Sequence, residues 1–289
     1  MKNNDKNFSV LMSIYYKEKS EYLEESLKSI LINQTLIPTE VIIVKDGKLT
    51  NKLEKTLNKY KKMFPSILKF VSLEKNVGLG KALQIGLLKC KYDIIFRMDT
   101  DDISVSTRFE KQIEYMQNYP NVSVLGGFIE EFEISPNSSK RIKKMPISYD
   151  AILKYAKFRN PLNHMTVCFR KSAILKVGNY QPLYYLEDHF LWARLLVNGN
   201  IIENLPDVLV YARIGNGFND RRGNKKYVKG WKILQTYLYK NKFINIFEKT
   251  RNIFGMYTIV YVPPKIRLFL YDNVLRKKIR SNIWKGNFQ

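Results

Sequence analysis

Short apolar runs recur along the first 126 residues and alternate with segments of helical periodicity. The runs are rich in β-branched and aromatic side chains, and their near-continuous apolarity is typical of strands buried on both faces of a parallel sheet. This pattern predicts five strands, at residues 8–14, 40–44, 68–72, 92–98 and 122–126.

The segments between the runs predict four helices. Ser20 and Thr50 are placed to cap the first two, and residues 78–90 and 106–118 form the others. Strand and helix alternate, which predicts an α/β fold with a mostly parallel, Rossmann-like sheet flanked by helices. Ligands of such sheets collect at the carboxyl ends of the strands.

The regular alternation of apolar runs and helical segments ends at about residue 135. An exposed loop is predicted at 135–144, a helix at 150–158, a strand at 164–170 and a helix from Glu187. Residues 200–213 indicate one or two strands broken at Pro206, and helix-like segments follow from Tyr227.

Composition narrows the class of protein. A chain of 289 residues with 45% hydrophobic residues has enough apolar content for a real core, which argues against disorder. Cys90 and Cys168 offer neither a disulfide framework nor zinc-ligand spacing, so a reducing compartment is expected. We expect no signal peptide and no spanning helix, because no stretch approaches about 20 apolar residues.

The net charge of +23 is unevenly distributed. Residues 221–289 hold 17 Lys and Arg against two acids, a net charge of +15. We therefore expect two domains, a catalytic domain over 1–220 and a basic, aromatic-rich helical region over 221–289. Such a charge attracts anionic partners.

Three polar groups follow predicted strands and should open onto one edge of the sheet. They are Asp46–Gly47, residues 76–78 and residues 99–102. Asp99, Asp101 and Asp102 would repel one another, but carboxylates so spaced can bind a hard divalent cation such as Mg²⁺ or Mn²⁺. The alternative is a solvated turn that caps the next helix.

Three further groups are candidates for chemistry. Asn76 and Lys81 lie at a helix start suited to phosphate, although the stretch matches no P-loop. Glu187 and Asp188 begin a helix that Trp192 holds in the core, so one is a candidate general base, or both are simply capping acids. His164 is as consistent with a structural role as with a functional one.

A glycine-rich basic loop is predicted at residues 213–227. It suits a lid over a phosphate-bearing ligand, because guanidinium groups bind phosphate in bidentate fashion; a solvated turn is the alternative. Its cationic residues are Arg213, Arg221, Arg222, Lys225 and Lys226.

The order of these motifs resembles an inverting family 2 glycosyltransferase of the GT-A fold, of the type that builds bacterial capsule, exopolysaccharide or O-antigen. The resemblance covers roughly residues 8 to 215 and rests on "SVLMSIYYKEK", "EVIIVKDGKLT", "EKNVGLGKALQIGL", "YDIIFRMDTDDIS" and "YLEDHFLWARLL".

The resemblance implies a role for particular residues. Asp99 and Asp101 match the D-x-D that holds the donor ribose and a metal (Mn²⁺ or Mg²⁺) on the diphosphate, and Asp188 matches the general base. His164 and Trp192 are candidates for acceptor or donor contact. Nucleotide-sugar binding is expected of Tyr15, Glu18, Asp46, Asn76, Lys81, Asp99, Asp101, Glu187, Arg221 and Arg222.

The sequence departs from the family pattern in two places. Lys45 replaces the first aspartate of the common V-D-D-G-S, and the Q-x-x-R-W motif of processive synthases is missing. We therefore expect one sugar to be added per encounter.

The resemblance also implies partners. The donor is expected to be a UDP-sugar, with galactose or an N-acetylhexosamine as the sugar, and the acceptor a glycan, usually lipid-linked. The basic region could rest on an anionic membrane at the inner face of the bacterial cell membrane, or pack as an ordinary subdomain. No nucleic-acid partner is expected.

Two rival classes remain open. A nucleic-acid-binding protein would explain the basic region but not the ordered acids Asp46, Asp99, Asp101 and Asp188. A nucleotidyltransferase shares metal-binding acids, but that class usually has a glycine-rich loop after the first strand, and residues 13–22 contain no glycine.

Overall fold

Nine strands form one sheet in the computed structural model, which describes residues 6–136, 141–214 and 225–261. The strands are β1 Ser9–Ile14, β2 Glu40–Lys45, β3 Leu68–Ser72, β4 Ile94–Arg97, β5 Ile103–Ser104, β6 Val122–Phe132, β7 Arg141–Lys143, β8 Cys168–Arg170 and β9 Ile201–Arg213.

The helices that accompany the sheet are α1 Ser20–Leu31, α2 Asn51–Met63, α3 Leu79–Lys89, α4 Arg108–Asn118, α5 Tyr149–Ala156, α6 Lys171–Lys176, α7 Glu187–Val197, α8 Lys225–Lys240 and α9 Ile246–Tyr261.

The sheet has a parallel half and a mixed half. Strands run in the order β3-β2-β1-β4-β8-β6-β9-β5, with β7 added to β6. The first four strands in this order are parallel to one another, as the alternation of strands and helices predicts. Beyond them, β8 is antiparallel to both β4 and β6, whereas β6 and β9 are parallel. The carboxyl ends of β1, β2, β3 and β4 therefore meet at one edge.

Helix α3 packs closely on the sheet, and this packing places its N-terminus at the carboxyl edge. A Cβ at Gly86 would lie 2.5 Å from Cγ2 of Val44 and 2.6 Å from Cδ1 of Leu11, so only glycine permits the approach. Gly78 has φ +85° just before α3, where a side chain would strain the backbone. Helix α3 is thus held against β1 and β2, with its N-terminus at the carboxyl edge.

Several boundaries differ from those predicted. Ser20 is the first residue of α1 rather than its cap, a position that Lys19 takes, whereas Thr50 caps α2 as predicted. Residues 164–170 divide into a 3₁₀ turn, His164–Thr166, and the short β8.

Strand β9 passes through Pro206 without ending. Its pairing with β6 skips from Leu205 opposite Gly127 to Val208 opposite Phe128, which leaves Pro206 in an irregularity where no ladder bond is required. The same long pairing extends β6 to Phe132, beyond the predicted end at residue 126.

The chain divides into two compact units. The first comprises Met1–Leu183 and Glu187–Asn216, and the second comprises Tyr184–Leu186 and Gly217–Gln289. The boundary expected at residues 220 and 221 lies outside the described residues. Helices α8 and α9 form the described part of the second unit after residue 224, and no described helix is long and apolar enough to cross a membrane.

Candidate functional site

The acid turn, residues 99–102, follows β4 and is organised by a buried arginine. Nη1 of Arg97 lies 2.5 Å from Oδ1 of Asp99, and the Arg97 side chain is 1% exposed. Burial, the neighbouring Asp99 and Glu18 together raise the pKa of Asp101 to about 7. Burial raises the pKa of Asp102 well above its usual range, and Asp101 adds to that effect.

The loop after β1 joins the acid turn. Thr100 donates its hydroxyl to Oε2 of Glu18 at 2.7 Å, and Ser26 donates to the carbonyl of Asp99 at 2.8 Å. Tyr15 and Tyr16 are exposed at the end of this strand, with ring centroids 5.9 Å apart. The predicted residues Tyr15, Glu18, Asp99 and Asp101 therefore come together.

Arg213 supports the acid turn from the other side. Its backbone N–H donates to Oδ1 of Asp102 at 2.9 Å, and its Nε donates to the carbonyl of Asp101 at 3.1 Å. The guanidinium also pairs with Glu25 and lies 3.9 Å from the ring centroid of Tyr22. The predicted lid role is wrong for Arg213, because it is the buried last residue of β9.

Asp46 uses its carboxylate to join two loops. Oδ1 accepts the N–H of Val77 at 2.7 Å and Oδ2 accepts the N–H of Gly78 at 3.0 Å, and Asp46 is 4% exposed. Asn76 returns a bond from Nδ2 to the Asp46 carbonyl at 3.3 Å. The loops after β2 and β3 are therefore fixed together at the edge where they were predicted to meet.

Two lysines border this part of the site. Lys45 donates to Oε2 of Glu54 at 2.6 Å and lies over the ring of Phe70, so it is held on α2. Lys81 is exposed on the first turn of α3 and donates to Gln84 at 2.6 Å.

Glu187 and Asp188 begin α7 as predicted, with both side chains half-buried. Oδ2 of Asp188 accepts from Nδ2 of Asn160 at 2.7 Å, and its Oδ1 accepts the N–H of His189 at 2.7 Å. Burial raises the pKa of Asp188, although both bonds and Arg97 oppose the shift. Asp188 is therefore a carboxylate more basic than usual, oriented by Asn160.

Glu187 lies where α3 and α7 approach each other. A Cβ at Gly80 would be 3.0 Å from the Glu187 Cβ, a tight fit that leaves little room between the two helix starts. Burial and the adjacent Asp188 raise the pKa of Glu187 to about 7.

His164 packs with two buried aromatic side chains, those of Tyr180 and Trp192. Its Nε2 lies 2.9 Å from the Tyr180 hydroxyl, and its ring centroid is 6.0 Å from that of Trp192. Burial lowers the pKa of His164 well below its usual range, and Arg97 adds to this, so the imidazole is neutral. Trp192 is fully buried, which makes it a support for His164 rather than a surface for ligand contact.

The positive charge of Arg97 acts on both groups of acids, the acid turn and the pair Glu187 and Asp188. Its electrostatic interaction lowers the pKa of Asp101 in the acid turn and those of Glu187 and Asp188 at α7. Repulsion from Asp99 also raises the pKa of Glu187. The two groups are thus close enough to influence each other's ionisation.

The acid turn fits a divalent metal in one particular mode. No group of three or more His, Cys, Asp or Glu within residues 6–136, 141–214 and 225–261 is arranged to hold an ion. Mg²⁺-like ions, however, usually bind through one or two carboxylates plus substrate phosphates. Burial and the neighbouring acids raise the pKa of Asp101, and a bound cation would offset that repulsion and favour the ionised carboxylate.

The sequence did not single out three residues that organise this site, and it gave a fourth, Arg213, a different role. Arg97, Asn160 and Tyr180 contact predicted residues across 2, 28 and 16 positions of chain, and Arg213 reaches Asp102 across 111. Of the three residues that were not singled out, only Arg97 lies inside a motif that the sequence analysis used, "FRMDTDD". Arg221 and Arg222 lie outside the described residues.

Comparison with solved structures identifies the fold class of this chain. Solved structures with this fold are GT-A glycosyltransferases. One is the mannosyltransferase PcManGT from Pyrobaculum calidifontis, in complex with GDP-Man and Mn²⁺, which aligns with a TM-score of 0.61 at 15% identity over 95% of this chain and 75% of its own. The fold class predicted from the sequence is confirmed.

The family follows from sequence similarity. The profile described as "Glycosyl transferase family 2" matches residues 9–178. The amylovoran biosynthesis glycosyltransferase AmsE of Erwinia amylovora is 39% identical over 92% of this chain and 98% of its own length. An Escherichia coli UDP-Gal:α-D-GlcNAc-diphosphoundecaprenol β-1,3-galactosyltransferase is 38% identical over 96% and 99%. The chain belongs to glycosyl transferase family 2, as its motifs predicted.

Proposed function

We propose that this glycosyltransferase moves one sugar from a UDP-sugar to a hydroxyl of a lipid-linked glycan during assembly of a bacterial surface polysaccharide, with inversion at the anomeric carbon. The names of two relatives support the proposal, one an amylovoran biosynthesis enzyme and the other a galactosyltransferase that uses UDP-Gal and a GlcNAc-diphosphoundecaprenol acceptor. Both align over nearly their whole length. Galactose is our first choice of sugar, and an N-acetylhexosamine is the second.

The observation that carries the proposal is the placement of Asp188. Its carboxylate is fixed by Asn160 and by the start of its own helix, and it shares the field of Arg97 with the acid turn. A base held beside a donor site is what a direct displacement requires.

Asp188 acts as the general base in this proposal. It takes the proton of the acceptor hydroxyl while the acceptor oxygen forms a bond to the anomeric carbon, and the bond from that carbon to the diphosphate oxygen breaks. The nucleoside diphosphate leaves with the electron pair. Burial favours this role because it raises the pKa of Asp188 and makes the carboxylate a stronger base.

The donor is bound at the carboxyl edge of the parallel strands. Tyr15 and Glu18 line the nucleoside, Asp46 holds the loop of Asn76 in place for it, and Lys81 is available to the diphosphate. Asp99 and Asp101 would hold a divalent metal, Mn²⁺ or Mg²⁺, which when bound neutralises negative charge on the diphosphate. Glu187 and His164 remain candidates for contact with the sugars.

A nucleotide-sugar panel tests the proposal. The purified chain is incubated with UDP-galactose, UDP-N-acetylglucosamine, UDP-N-acetylgalactosamine, UDP-glucose and GDP-mannose, each with Mn²⁺ or with EDTA. We expect a UDP-sugar to raise the melting temperature only with Mn²⁺, and nucleotide release to require a GlcNAc-diphosphate lipid acceptor. Stabilisation by no sugar nucleotide would contradict the proposal.

The proposed reaction also implies a place for the protein. A lipid-linked acceptor lies in the membrane and nucleotide sugars are cytoplasmic, so we place the enzyme at the cytoplasmic face of the bacterial membrane, in peripheral contact with it. The basic character of residues 221–289, at +15, supports contact with anionic lipid.

A further inference from the structure

Helix α9 has an inner face that packs on α8. The indole N–H of Trp231 donates to the carbonyl of Asn252 at 3.0 Å, and Asn252 donates to Oε1 of Gln235 at 2.9 Å. Asn252 and Val260 are buried on this face. The packing requirement of an amphipathic helix is therefore already met within the second unit.

The opposite face of α9 exposes two large aromatic side chains. Phe247 is 81% exposed and Phe254 is 73% exposed. They are seven positions apart, nearly two full turns, so they point in the same direction and lie roughly 10 Å apart along the axis. Two exposed phenylalanines on one line of a helix mark a surface that contacts something apolar.

The residues between the two rings reduce the polarity of this face. Thr250 donates its hydroxyl to the carbonyl of Ile246 at 2.9 Å, and Thr258 donates to the carbonyl of Phe254 at 3.1 Å. Both hydroxyl protons are thus used inside the helix and do not require water. Phe247, Thr250, Phe254 and Thr258 together form what we call the outer stripe.

The two helices of the second unit that the structure describes carry mostly positive charge. Residues 225–261 contain eight Lys and Arg and a single acid, Glu248. The Glu248 carboxylate accepts the N–H of Asn245 at 2.9 Å, at the start of α9. Arg251 is exposed between the two phenylalanines along the helix. An exposed apolar stripe next to an exposed arginine, on a helix pair with eight basic residues and one acid, is complementary to an anionic lipid surface, which offers acyl chains below and phosphates above.

We propose that the outer stripe of α9 is the surface by which this protein docks on an anionic lipid bilayer, with Phe247 and Phe254 inserted at the interface. The inference deepens the proposed function, and it rests on that function only for a membrane-borne acceptor. An acidic protein partner is the competing occupant, and the experiment below distinguishes it.

Vesicle sedimentation tests the surface directly. Full-length protein is mixed with vesicles of phosphatidylcholine alone or with phosphatidylglycerol added. We expect binding only to the anionic vesicles, with weaker binding at high salt. The double variant Phe247→Ser/Phe254→Ser should lose about tenfold or more in affinity, whereas Phe247→Leu/Phe254→Leu should retain it.

A matched control separates this stripe from general surface hydrophobicity. Ile134 is 88% exposed and lies in the first unit, so Ile134→Ser should bind vesicles as the wild type does. Equal sedimentation of the wild type and the double Ser variant would overturn the proposal, as would failure of the wild type to bind anionic vesicles. Either result would favour an acidic protein partner, rather than a bilayer, as the molecule that contacts the outer stripe.

A fluorescent label gives a second readout, in which Phe247 is kept and only Phe254 is replaced. Cys90 and Cys168 are buried, and burial raises the pKa of each thiol to about 12, so a cysteine at position 254 is labelled selectively. An NBD group on Phe254→Cys should shift to the blue on anionic vesicles, and one on Ile134→Cys should not. An unshifted label at position 254 would also overturn the proposal.

This test is independent of the reaction. Stabilisation by a UDP-sugar with Mn²⁺ is measured without lipid, so a failure of docking and a failure of the proposed activity produce different results. A variant of the outer stripe should keep donor stabilisation while losing vesicle binding.

Discussion

Nη1 of Arg97 lies 2.5 Å from Oδ1 of Asp99, and the arginine is 1% exposed where the aspartate is 31% exposed. The buried cation thus holds one acid of the turn while its field extends to Glu187 and Asp188. Burial alone would lower the pKa of Arg97, but Asp99 together with Tyr180 and Asp102 outweighs that effect, and the pKa is raised. Arg97 is therefore charged at any working pH.

Removing this cation should destabilise the protein and weaken metal-dependent donor binding. In Arg97→Met the acids of the turn lose the charge that offsets their repulsion, and we expect the free energy of unfolding to fall by about 3 kcal/mol. Urea denaturation measures the loss. The control is Lys111→Met, which breaks the exposed 2.6 Å pair with Asp207 and should cost about 0.5 kcal/mol. Equal losses would contradict the role given to Arg97.

Asp46 should contribute to stability as well as to donor binding. Asp46→Ala leaves the N–H groups of Val77 and Gly78 without their acceptors, and a cost of about 2 kcal/mol in unfolding free energy is expected. Asp46→Asn retains one acceptor oxygen and should lose less. Urea denaturation with calorimetric donor titration separates the two effects; an Asp46→Ala protein of wild-type stability would refute the bridging role.

Asn160 should tune the basicity of Asp188. The bond from Asn160 lowers the pKa of Asp188, so in Asn160→Ala that pKa should rise and the acidic limb of the kcat/KM profile should move to higher pH. The control is Asn198→Ala, which removes an amide bonded to the Arg194 carbonyl at the other end of α7. A rate loss without any shift of the limb would mean that Asn160 acts only on structure.

Glu187 should make stability depend on pH. Its folded-state pKa of about 7 lies above the ordinary value of 4.5, so Glu187 imposes no penalty below pH 4.5. Stability is lost as pH rises from there through about 7, by up to about 3 kcal/mol. Glu187→Gln should reduce the fall in melting temperature between pH 5 and pH 8, measured without metal or donor; Asp101, whose pKa is also about 7, accounts for part of the fall that remains. An unchanged slope would contradict the burial of the Glu187 carboxyl group.

The strands and helices of the first half of the chain could be predicted from the local pattern of apolar and polar residues. Strands β1 to β4 are continuous apolar runs, and Asp46, Asp99 and Asp101 could be placed at their carboxyl ends because parallel strands share that edge. Thr50 capped its helix as expected. The second half was harder, because β9 crosses Pro206 through an irregular pairing with β6 that only the tertiary structure provides.

The acids of the site were predictable and their partners were not. Asp188 stood out at a helix start, but Asn160 lies 28 residues away in a segment without a motif. Arg213 looked like part of a basic loop, and only the end of β9 places it against the acid turn. Such contacts join segments that are distant in the sequence, and periodicity and motif spacing carry no information about them.

The central claim is that Asp188 is the base, and transfer by Asp188→Asn tests it most directly. Donor affinity is measured by calorimetry with Mn²⁺, and transfer to a GlcNAc-diphosphate lipid is followed by single turnover. The account predicts donor affinity within about twofold of the wild type and a transfer rate lower by about 1,000-fold, because a positioned base contributes 10²–10⁴. Wild-type transfer by Asp188→Asn would contradict it.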